Sequence, residues 1–451
     1  MPEEAKGTDA LNLLKDFPAV PAETWEQTIA ADLKGADYEK KLVWKTDEGI
    51  AVRPYYRKEN LPEKPFRHCV TKSWEILESG QAPAGVDATV YHEAGATAVQ
   101  ELAYAMAAAS ELLAAAKPVP AITFAVGSNY FFEIAKLRAA RLLYTAVAQA
   151  YGVSKEVKIG AVTALANKSI YDPYTNLLRS TTEALSAVLG GADSLAVQPA
   201  GYPARLARNV QLVLKEESHL DKVADPAGGS YDLEALTDSL AAAAWTLFQR
   251  VEAAGGLTQA QAAVDAAIAA SRASKDKAIA SRRRAMVGVN NYPDIHEKEL
   301  DEAGSLPASA WRLAKPIEEI RLRTESHARQ AGRTPKVLLL KRGDLKMKMA
   351  RAQFCQNFFG CAGFAIEENE SYAGTDAALI VLCSSDPEYV DFAKEVCAAV
   401  KVPVVVAGNP KEQMEELKAA GVAGFVHVLS NMVDTLTEWQ NKLGIAAKEA
   451  K

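Results

Sequence analysis

Histidines are the side chains of this chain best suited to hold a metal ion or to move a proton near neutral pH. There are six of them: His68, His92, His219, His296, His327 and His427. No two stand at the HxxxH spacing that brings two imidazoles to one face of a helix. The sequence therefore predicts no metal site built by this chain.

His92 and Glu93 form the pair with the most chemical promise. We expect them at the carboxyl end of a strand over residues 88–93, and barrel enzymes build their active sites at that end of their strands. The alternative is a structural hydrogen-bonding pair that touches no ligand. His219 follows two glutamates and a serine on an expected helix, which indicates a surface or capping role.

Anion binding has two further candidates. The turn DPAGGSY at residues 225–231 could hold an anion through its backbone N–H groups, although a simple loop that enters a helix at Leu233 explains it equally. Arg179, Arg205 and Arg208 could bind phosphate or carboxylate groups, or could pair with acids such as Asp193 or Glu217. The sequence contains no GxGxxG, P-loop, GxSxG or HExxH motif.

Composition excludes several classes of protein. The net charge is −6, and the one basic cluster, SRRR at residues 281–284, reads as a solvated helix face rather than a nucleic-acid contact. The acidic, polar amino terminus is unlike a signal peptide, and no apolar run approaches the roughly 20 residues of a membrane helix. The odd set of five cysteines argues against a disulfide framework: Cys69, Cys355, Cys361, Cys383 and Cys397. We expect a soluble protein in the reducing cytoplasm.

Strand-like runs alternate with helix-like runs between residues 121 and 198, which predicts a parallel sheet with helices outside it. Asp172 and Pro173 begin a helix that ends near the glycine pair at 190–191. The five expected strands are 73–77, 88–93, 121–126, 157–164 and 194–198. An eight-stranded barrel would need about three more strand–helix units, and they are missing between residues 77 and 86.

A second alternation fills the end of the chain. Expected strands at 337–340, 364–367, 378–383, 402–406 and 424–428, with helices between them, predict a flavodoxin-like doubly wound sheet. Such sheets bind ligands beyond the carboxyl ends of their strands. The segment after the first strand, LLLKRGDLKMKMARA at 338–352, indicates a helix that starts at once rather than an open binding loop.

The amino-terminal region has too little apolar sequence for a core of its own. Its aromatic residues must therefore cover either the next domain or another chain, and we expect subunit contacts at Trp25, Trp44, Tyr55 and Tyr56. The expected domains are an arm at 1–65, a shortened barrel domain at 66–245, a helical linker at 246–335 and a flavodoxin-like domain at 336–451. The polar run at 294–333 in particular reads as a linker.

Four long stretches carry a family resemblance: VYHEAGATAVQELAYA (90–105), FAVGSNYFFEIAKLRAARLL (124–143), NKSIYDPYTNLLRSTTEALSAVLGGADSL (167–195) and RLARNVQLVLKEESHLDKVADPAGGSY (205–231). With the arm at 31–56, they resemble the small (beta) subunits of methylmalonyl-CoA mutase, an adenosylcobalamin-dependent isomerase. The resemblance implies a CoA-binding (β/α)8 barrel followed by a cobalamin-type domain. It also implies a heterodimer in which a homologous large subunit binds the acyl-CoA substrate and adenosylcobalamin.

Two departures argue against catalysis by this chain. Active subunits of the family carry D-x-H-x-x-G, whose His is the lower cobalt ligand, and Leu345, Met347 and Ala350 stand at those positions here. The catalytic His that the resemblance places in the barrel falls near Ala161. We therefore expect no catalytic residue and no cofactor on this chain alone. The alternatives are a free-standing acyl-CoA mutase and a CoA-binding scaffold module.

The third departure concerns the barrel itself. Without strands two to four, two strand edges lose their partners. The chain then forms either an open half-barrel whose edges are covered by other elements or by a partner, or a shortened variant that folds differently. Both alternatives put in question the CoA channel through the barrel axis that the resemblance implies.

Overall fold

The computed structural model describes residues 20–63, 73–297, 306–307 and 310–445, so His68 and Cys69 lie outside the described residues. The arm consists of α1 (Ala22–Asp32), α2 (Tyr38–Lys41) and an antiparallel ribbon of β1 (Trp44–Lys45) and β2 (Ala51–Val52). None of the residues of α1 is buried. Like the sequence, the structure gives this region no core of its own.

The first large sheet has five parallel strands: β3 (Glu75–Leu77), β4 (Val86–Asp87), β5 (Ala121–Val126), β6 (Lys158–Thr163) and β7 (Ser194–Ala196). Their order is β3-β7-β6-β5-β4, so the first strand of the region lies beside the last, as it does where a barrel closes. The accompanying helices are α3 (Thr89–Glu93), α4 (Ala98–Ala114), α5 (Tyr130–Ala150), α6 (Pro173–Leu189), α7 (Ala204–Leu212) and α8 (Tyr231–Ala253). The barrel-like α/β fold is confirmed.

One of the five expected strands is wrong. Of residues 88–93, Thr89–Glu93 form α3, and the strand is the shorter β4 that precedes them. The carboxylate of Asp87 accepts hydrogen bonds from the Thr89 backbone N–H, at 3.0 Å, and from the Thr89 hydroxyl, at 2.6 Å. These contacts form an Asx turn, which leads into a helical turn in residues that otherwise favour a strand.

The segment 78–85 connects β3 to β4, at the place where the resemblance implies three further strands. Since β3 and β4 are parallel, this segment must return from the carboxyl end of one strand to the amino end of the other. On its way it brings Pro83 over Gly160 of β6, where an added Cβ would stand 3.2 Å from the proline ring. Gly160 pairs with Thr123 and Ser194, so this small, polar face of the sheet lies under the segment.

The other face of the same sheet packs against the helices. Ile122, Phe124, Ile159 and Leu195 alternate with the residues just named and belong to one large apolar core shared with α4 and α5. At the β3 edge, the Lys215 ammonium lies 3.0 Å from the Trp74 carbonyl oxygen and so satisfies one group on the open side of the strand. The described region is therefore an open, five-stranded sheet whose inner face is crossed by its own chain.

Two further helices connect the sheets, α9 (Leu257–Ala280) and α10 (Lys315–Ala331). The second lies in the polar run expected as a linker at 294–333, and some of its charged side chains are buried in ion pairs. Glu318 pairs with Arg312 at 2.7 Å, and Arg321 pairs with Glu325 at 3.0 Å. Mutual neutralisation allows a sequence of low hydrophobicity to form a buried helix.

The second large sheet has the predicted flavodoxin-like topology. Its strands are β8 (Lys336–Lys341), β9 (Ala365–Asn369), β10 (Leu379–Cys383), β11 (Val404–Ala407) and β12 (Gly424–Val426), all parallel, in the order β9-β8-β10-β11-β12. The helices α11 (Leu345–Gly360), α12 (Tyr389–Ala399), α13 (Met414–Ala419) and α14 (Met432–Lys442) accompany them, and a separate apolar core covers each face. Among the described helices of the whole chain, none combines the length and the hydropathy that a membrane span requires.

Candidate functional site

A cavity of about 450 Å³ lies at the carboxyl end of the first sheet. The segments after β4, β5 and β6 form its floor through His92, the turn 127–129 and Asn167. Residues 44–48 of the arm and the end of α9 form its walls, together with Trp311. Three distant parts of the sequence therefore enclose a volume typical of small-ligand sites.

His92 lines this cavity and is the partly exposed member of a buried network of charged side chains. Its Nδ1 atom lies 3.3 Å from the carboxylate of Glu101, which also contacts the Lys136 ammonium at 2.7 Å. Lys136 in turn contacts Glu133, another cavity residue, at 2.6 Å. Glu101 and Lys136 have no exposed side-chain surface. The carboxylate orients the imidazole, as an acid–base pair requires.

The network has a structural task as well. Where the short β4 ends, the backbone N–H of Ala125 donates to Glu101 at 3.0 Å, and the Ala125 carbonyl accepts from Lys136 at 2.6 Å. Burial alone would raise the pKa of Glu101, but Lys136 and His92 hold that pKa below its ordinary value. Glu101 is thus a carboxylate that stays charged inside the core.

The side chains of His92 and Glu93, which we expected to act as a pair, have different partners. Glu93 points away from His92 and accepts a hydrogen bond from the Leu165 backbone N–H at 2.9 Å, so it ties α3 to the segment after β6. The structural role that the sequence left open applies to Glu93, whereas His92 reaches the cavity. Its true partner, Glu101, lies one turn into the next helix, and only the folded chain brings the two together.

The wall opposite the sheet is cationic. Lys275 donates to the Ala96 carbonyl at 2.7 Å and lies 6.0 Å from the centre of the Trp311 ring. Burial lowers the pKa of Lys275. Arg284 pairs with Asp47 of the arm at 2.7 Å, which holds the ribbon against α9. The SRRR cluster is therefore part of the cavity wall and of a packing interface, not a solvated helix face.

The other basic candidates have structural partners. Arg179 donates to the Val287 carbonyl at 2.6 Å, and Arg208 forms an ion pair with Glu78. Asp193, named as a possible partner of these arginines, pairs with Arg141 at 2.8 Å. Arg205 is exposed.

The glycine-containing turn at 225–231 also has an internal partner. The Gly229 backbone N–H donates to Glu234 at 3.0 Å, and Asp225 lies 3.1 Å from Arg138. These contacts favour the simple loop over an anion site. His219 lies exposed nearby with a left-handed backbone (φ +54°), as a surface residue.

Ala161, the position near which the resemblance places a catalytic His, does not reach the cavity. It is buried on β6 and belongs to the apolar core between the sheet and the helices. The remaining described histidines are dispersed: His296 lies in an exposed turn, His327 on α10 and His427 just after β12. Within the described part of the chain, no cluster of three metal-ligating side chains exists.

The arm aromatics divide into two groups. Trp25 stacks on Tyr55, with 4.7 Å between ring centres, and Arg57 lies 5.3 Å from the centre of the Trp25 ring. Trp44 meets the edge of Phe132 at 5.7 Å and borders the cavity. The indoles nevertheless stay 43% (Trp25) and 51% (Trp44) exposed, and Tyr56 is half-buried. Both indoles leave surface free for a further contact.

At the carboxyl edge of the second sheet, the segment after β8 is a helix. The side chain of Asp344 caps α11 by accepting from the Met347 backbone N–H at 2.8 Å, and Leu345, Met347 and Ala350 fall in its first two turns. The prediction of a helix that starts at once is confirmed. Between β8 and β10, the Glu388 carboxylate lies 2.6 Å from the hydroxyls of both Ser384 and Ser385.

Comparison with known proteins decides the family. The family model for methylmalonyl-CoA mutase matches residues 80–331. The methylmalonyl-CoA mutase small subunit of Porphyromonas gingivalis is 32% identical, over 96% of this chain and 99% of that relative. The chain belongs to the methylmalonyl-CoA mutase family. The alignment runs over 615 positions, more than the 451 residues of this chain, so part of the relative has no counterpart here.

Two other family members are similar over shorter stretches. The methylmalonyl-CoA mutase small subunit of Streptomyces virginiae is 35% identical over 80% of this chain, which spans 64% of that relative. The methylmalonyl-CoA mutase of Rhizobium meliloti is 39% identical over 52% of this chain and 37% of its own length. The similarity thus extends to mutases whose names do not designate a small subunit.

The family's cofactor, adenosylcobalamin, does not fit the residues at the second sheet. Residues 341–350 offer no imidazole, and the segment that would receive the cofactor is already the first turns of α11. The only histidine of this edge within the described residues, His427, follows the last strand, and its Nδ1 already accepts the Leu429 backbone N–H at 3.2 Å.

Proposed function

We propose that this chain is the noncatalytic small subunit of a heterodimeric, adenosylcobalamin-dependent methylmalonyl-CoA mutase in the cytoplasm. The holoenzyme would interconvert methylmalonyl-CoA and succinyl-CoA on a homologous large subunit, which would hold both the cofactor and the acyl-CoA. The observation that carries the proposal is the sequence at the start of α11, where Met347 stands at the position that the resemblance assigns to the family's cobalt-ligating His. The small-subunit names of two relatives support it.

The proposed task of this chain is to bind and stabilise the catalytic subunit. The exposed indoles of Trp25 and Trp44 give the arm large apolar surfaces. Tryptophan is among the side chains most enriched at the centres of protein interfaces. Tyr55 stacks on Trp25 and holds its ring in place. Because no residue of α1 is buried, this helix has surface free to pack on a partner.

The inner face of the first sheet argues against an acyl-CoA channel in this chain. Pro83 and its neighbours cross the face on which Thr123, Gly160 and Ser194 lie. A chain that fills this face leaves no straight path along the strands for a pantetheine arm. This supports placing the acyl-CoA on the large subunit.

The proposal is tested by mixing the purified chain with a large subunit that retains D-x-H-x-x-G. We expect a one-to-one complex by size-exclusion chromatography with light scattering, and mutase activity that requires the large subunit. Mutase activity of this chain by itself would overturn the proposal, and so would the lack of any complex.

A second candidate is a small-ligand-binding module, which the cavity beside His92 favours. Its volume suits a small polar molecule rather than a CoA thioester, and Lys275 with the oriented imidazole would recognise a carboxylate. Isothermal titration of the isolated chain with short dicarboxylates distinguishes the candidates. Saturable binding that His92→Ala abolishes would favour the module.

A further inference from the structure

The second sheet has one position at which its fold would place a ligand. In this strand order the connections leave in opposite directions from β8 and β10, and ligands of doubly wound sheets bind in the crevice that opens there. The segments that border the crevice are 342–344 after β8 and 384–388 after β10. The carboxylate of Glu388 lies between them.

Glu388 collects donors from both segments. One of its oxygens is 2.6 Å from the Ser384 hydroxyl, 2.6 Å from the Ser385 hydroxyl and 3.3 Å from the Ser385 backbone N–H. The backbone N–H of Asp344, across the crevice, faces the same carboxylate and helps to lower its pKa. The Ser384 hydroxyl is also 2.9 Å from the Arg342 carbonyl oxygen, so it shares its one hydrogen between that carbonyl and the carboxylate. Donor groups that converge on one carboxylate form the kind of concave arrangement with which proteins bind free anions.

The backbone is shaped for this carboxylate. Gly343 has a left-handed conformation (φ +78°), and a Cβ at that position would collide with the Glu388 carboxylate oxygens. The contact therefore requires a residue without a side chain. The four donors lower the pKa of Glu388 to about 2, led by the hydroxyls of Ser384 and Ser385. The group stays ionised throughout the neutral and mildly acidic range.

Helix capping accounts for only part of this arrangement. Ser385 and Glu388 form a capping box at the turn before α12, which explains the two contacts to Ser385. It does not explain the Ser384 hydroxyl, the Asp344 N–H or the close approach to Gly343, all of which lie outside that box. These additional contacts join the two borders of the crevice.

We propose that the crevice between β8 and β10 is an anion site and that Glu388 is its built-in ligand, which closes the second domain to external ligands. The donors that would receive an anionic group of a cofactor are engaged by the chain's own carboxylate. The inference goes beyond the proposed subunit role and does not depend on it, because its test reads the stability of this chain and not mutase activity.

The decisive variant is Glu388→Ala, which leaves the donors of Ser384, Ser385 and Asp344 around a gap of carboxylate size. We expect sodium acetate or inorganic phosphate to raise the thermal unfolding midpoint of this variant saturably, by about 2–4 °C at a concentration roughly ten times the dissociation constant. The wild-type chain should show no saturable response. Sodium chloride at equal ionic strength corrects for general salt effects.

Glu416→Ala is the matched control, since it removes an exposed carboxylate that pairs with Lys394 at 2.8 Å far from the crevice. An acetate and phosphate response of Glu388→Ala equal to those of the control and the wild type would overturn the proposal. Acetate alone would indicate a site for a single carboxylate, and a stronger phosphate response would indicate a phosphate site; both support an anion site.

A measurement on the wild-type chain keeps the proposal testable if Glu388→Ala fails to fold. Carbon-13 NMR of the glutamate carboxyl groups should show one carboxyl, absent from the Glu388→Gln spectrum, that titrates with a pKa near 2. A Glu388 carboxyl that titrates in the ordinary glutamate range, about 4.3, would contradict the four-donor arrangement.

Discussion

The two parallel sheets of this chain differ at the carboxyl ends of their strands: the first has a cavity there, and the second is filled by its own chain. The first sheet keeps a cavity of about 450 Å³ there, floored by His92 and walled by the arm and α9. The second sheet starts α11 directly after β8 and places the Glu388 carboxylate in the crevice beside it. Both folds reserve that edge for ligands, so connecting segments rather than strand topology decide whether space remains.

The difference extends to the buried charges. Under the cavity, Lys136 is fully buried between the carboxylates of Glu101 and Glu133, and these two ion pairs stabilise its positive charge. In the second sheet, the ion pairs near the carboxyl edge, such as Arg342 with Glu395, are exposed. The first edge therefore rests on an internal network that supports a polar cavity, whereas the second is closed by short-range contacts between neighbouring segments.

The largest effect should come from Lys136→Met. The change leaves Glu101 and Glu133 buried without their cation and deprives the Ala125 carbonyl of its donor. Breaking such a pair costs about 3–5 kcal/mol of the free energy of unfolding. Urea denaturation measures the loss, with Arg208→Ala, at a half-exposed ion pair, as the control at about 0–1 kcal/mol. Equal small losses would mean that the network does not support the cavity floor.

The next effect should come from Gly160→Ala, which tests whether the segment 78–85 lies on the inner face. The new methyl group would stand 2.7 Å from the Thr123 hydroxyl and 3.2 Å from Pro83. We expect a loss of about 1–3 kcal/mol from overpacking. Gly408→Ala, whose nearest neighbours are 3.5 Å away, serves as the matched glycine control. A Gly160→Ala chain as stable as wild type would show the inner face to be open.

A smaller effect is expected from the arm. The double variant Trp44→Ala, Tyr55→Ala removes one indole at the cavity rim and the platform under Trp25, and should weaken binding to the large subunit by about tenfold, or 1.4 kcal/mol. Surface plasmon resonance with the large subunit measures the change. Unaltered affinity and normal co-purification would remove the arm from the account of assembly.

The smallest effect concerns pH. A depressed pKa means that Glu388 contributes stability above its unfolded value, about 4.3, and that this contribution is lost as the pH falls toward about 2. The wild-type chain should therefore lose its stability advantage over Glu388→Gln within that window. Parallel acid titrations followed by tryptophan fluorescence would show this, since Trp439 is buried in the second domain. A constant difference between the two chains down to pH 2 would contradict it.

Sequence reasoning located most of the two sheets because their strands are continuous apolar runs. It missed α3, where the turn closed by Asp87 and Thr89 outweighs the strand preference of Val90 and Tyr91. It also did not foresee that Glu318 and Arg321, in the polar run around α10, are buried as ion-paired residues. Composition records that a residue is charged, but not that its partner is buried beside it.

The candidate sites were harder to foresee because their residues meet only in the folded chain. Glu101 follows His92 by nine positions and carries no motif, while Lys275 and Asp47 come from opposite sides of the barrel sequence. For Glu388, the spacing of Ser385 and Glu388 signals a capping box. Its contact with the segment after β8 depends on the pairing of β8 with β10, which the local sequence does not reveal.

The central claim, that this chain leaves the cofactor to its partner, is tested most directly by titrating the purified chain with adenosylcobalamin and recording its visible spectrum, alone and with the large subunit. The account predicts that the chain alone stays colourless after gel filtration, and that the complex retains one cobalamin per heterodimer. Stoichiometric uptake of cobalamin by the chain alone would contradict the interpretation of Met347 and Glu388 and would make a free-standing mutase the better account.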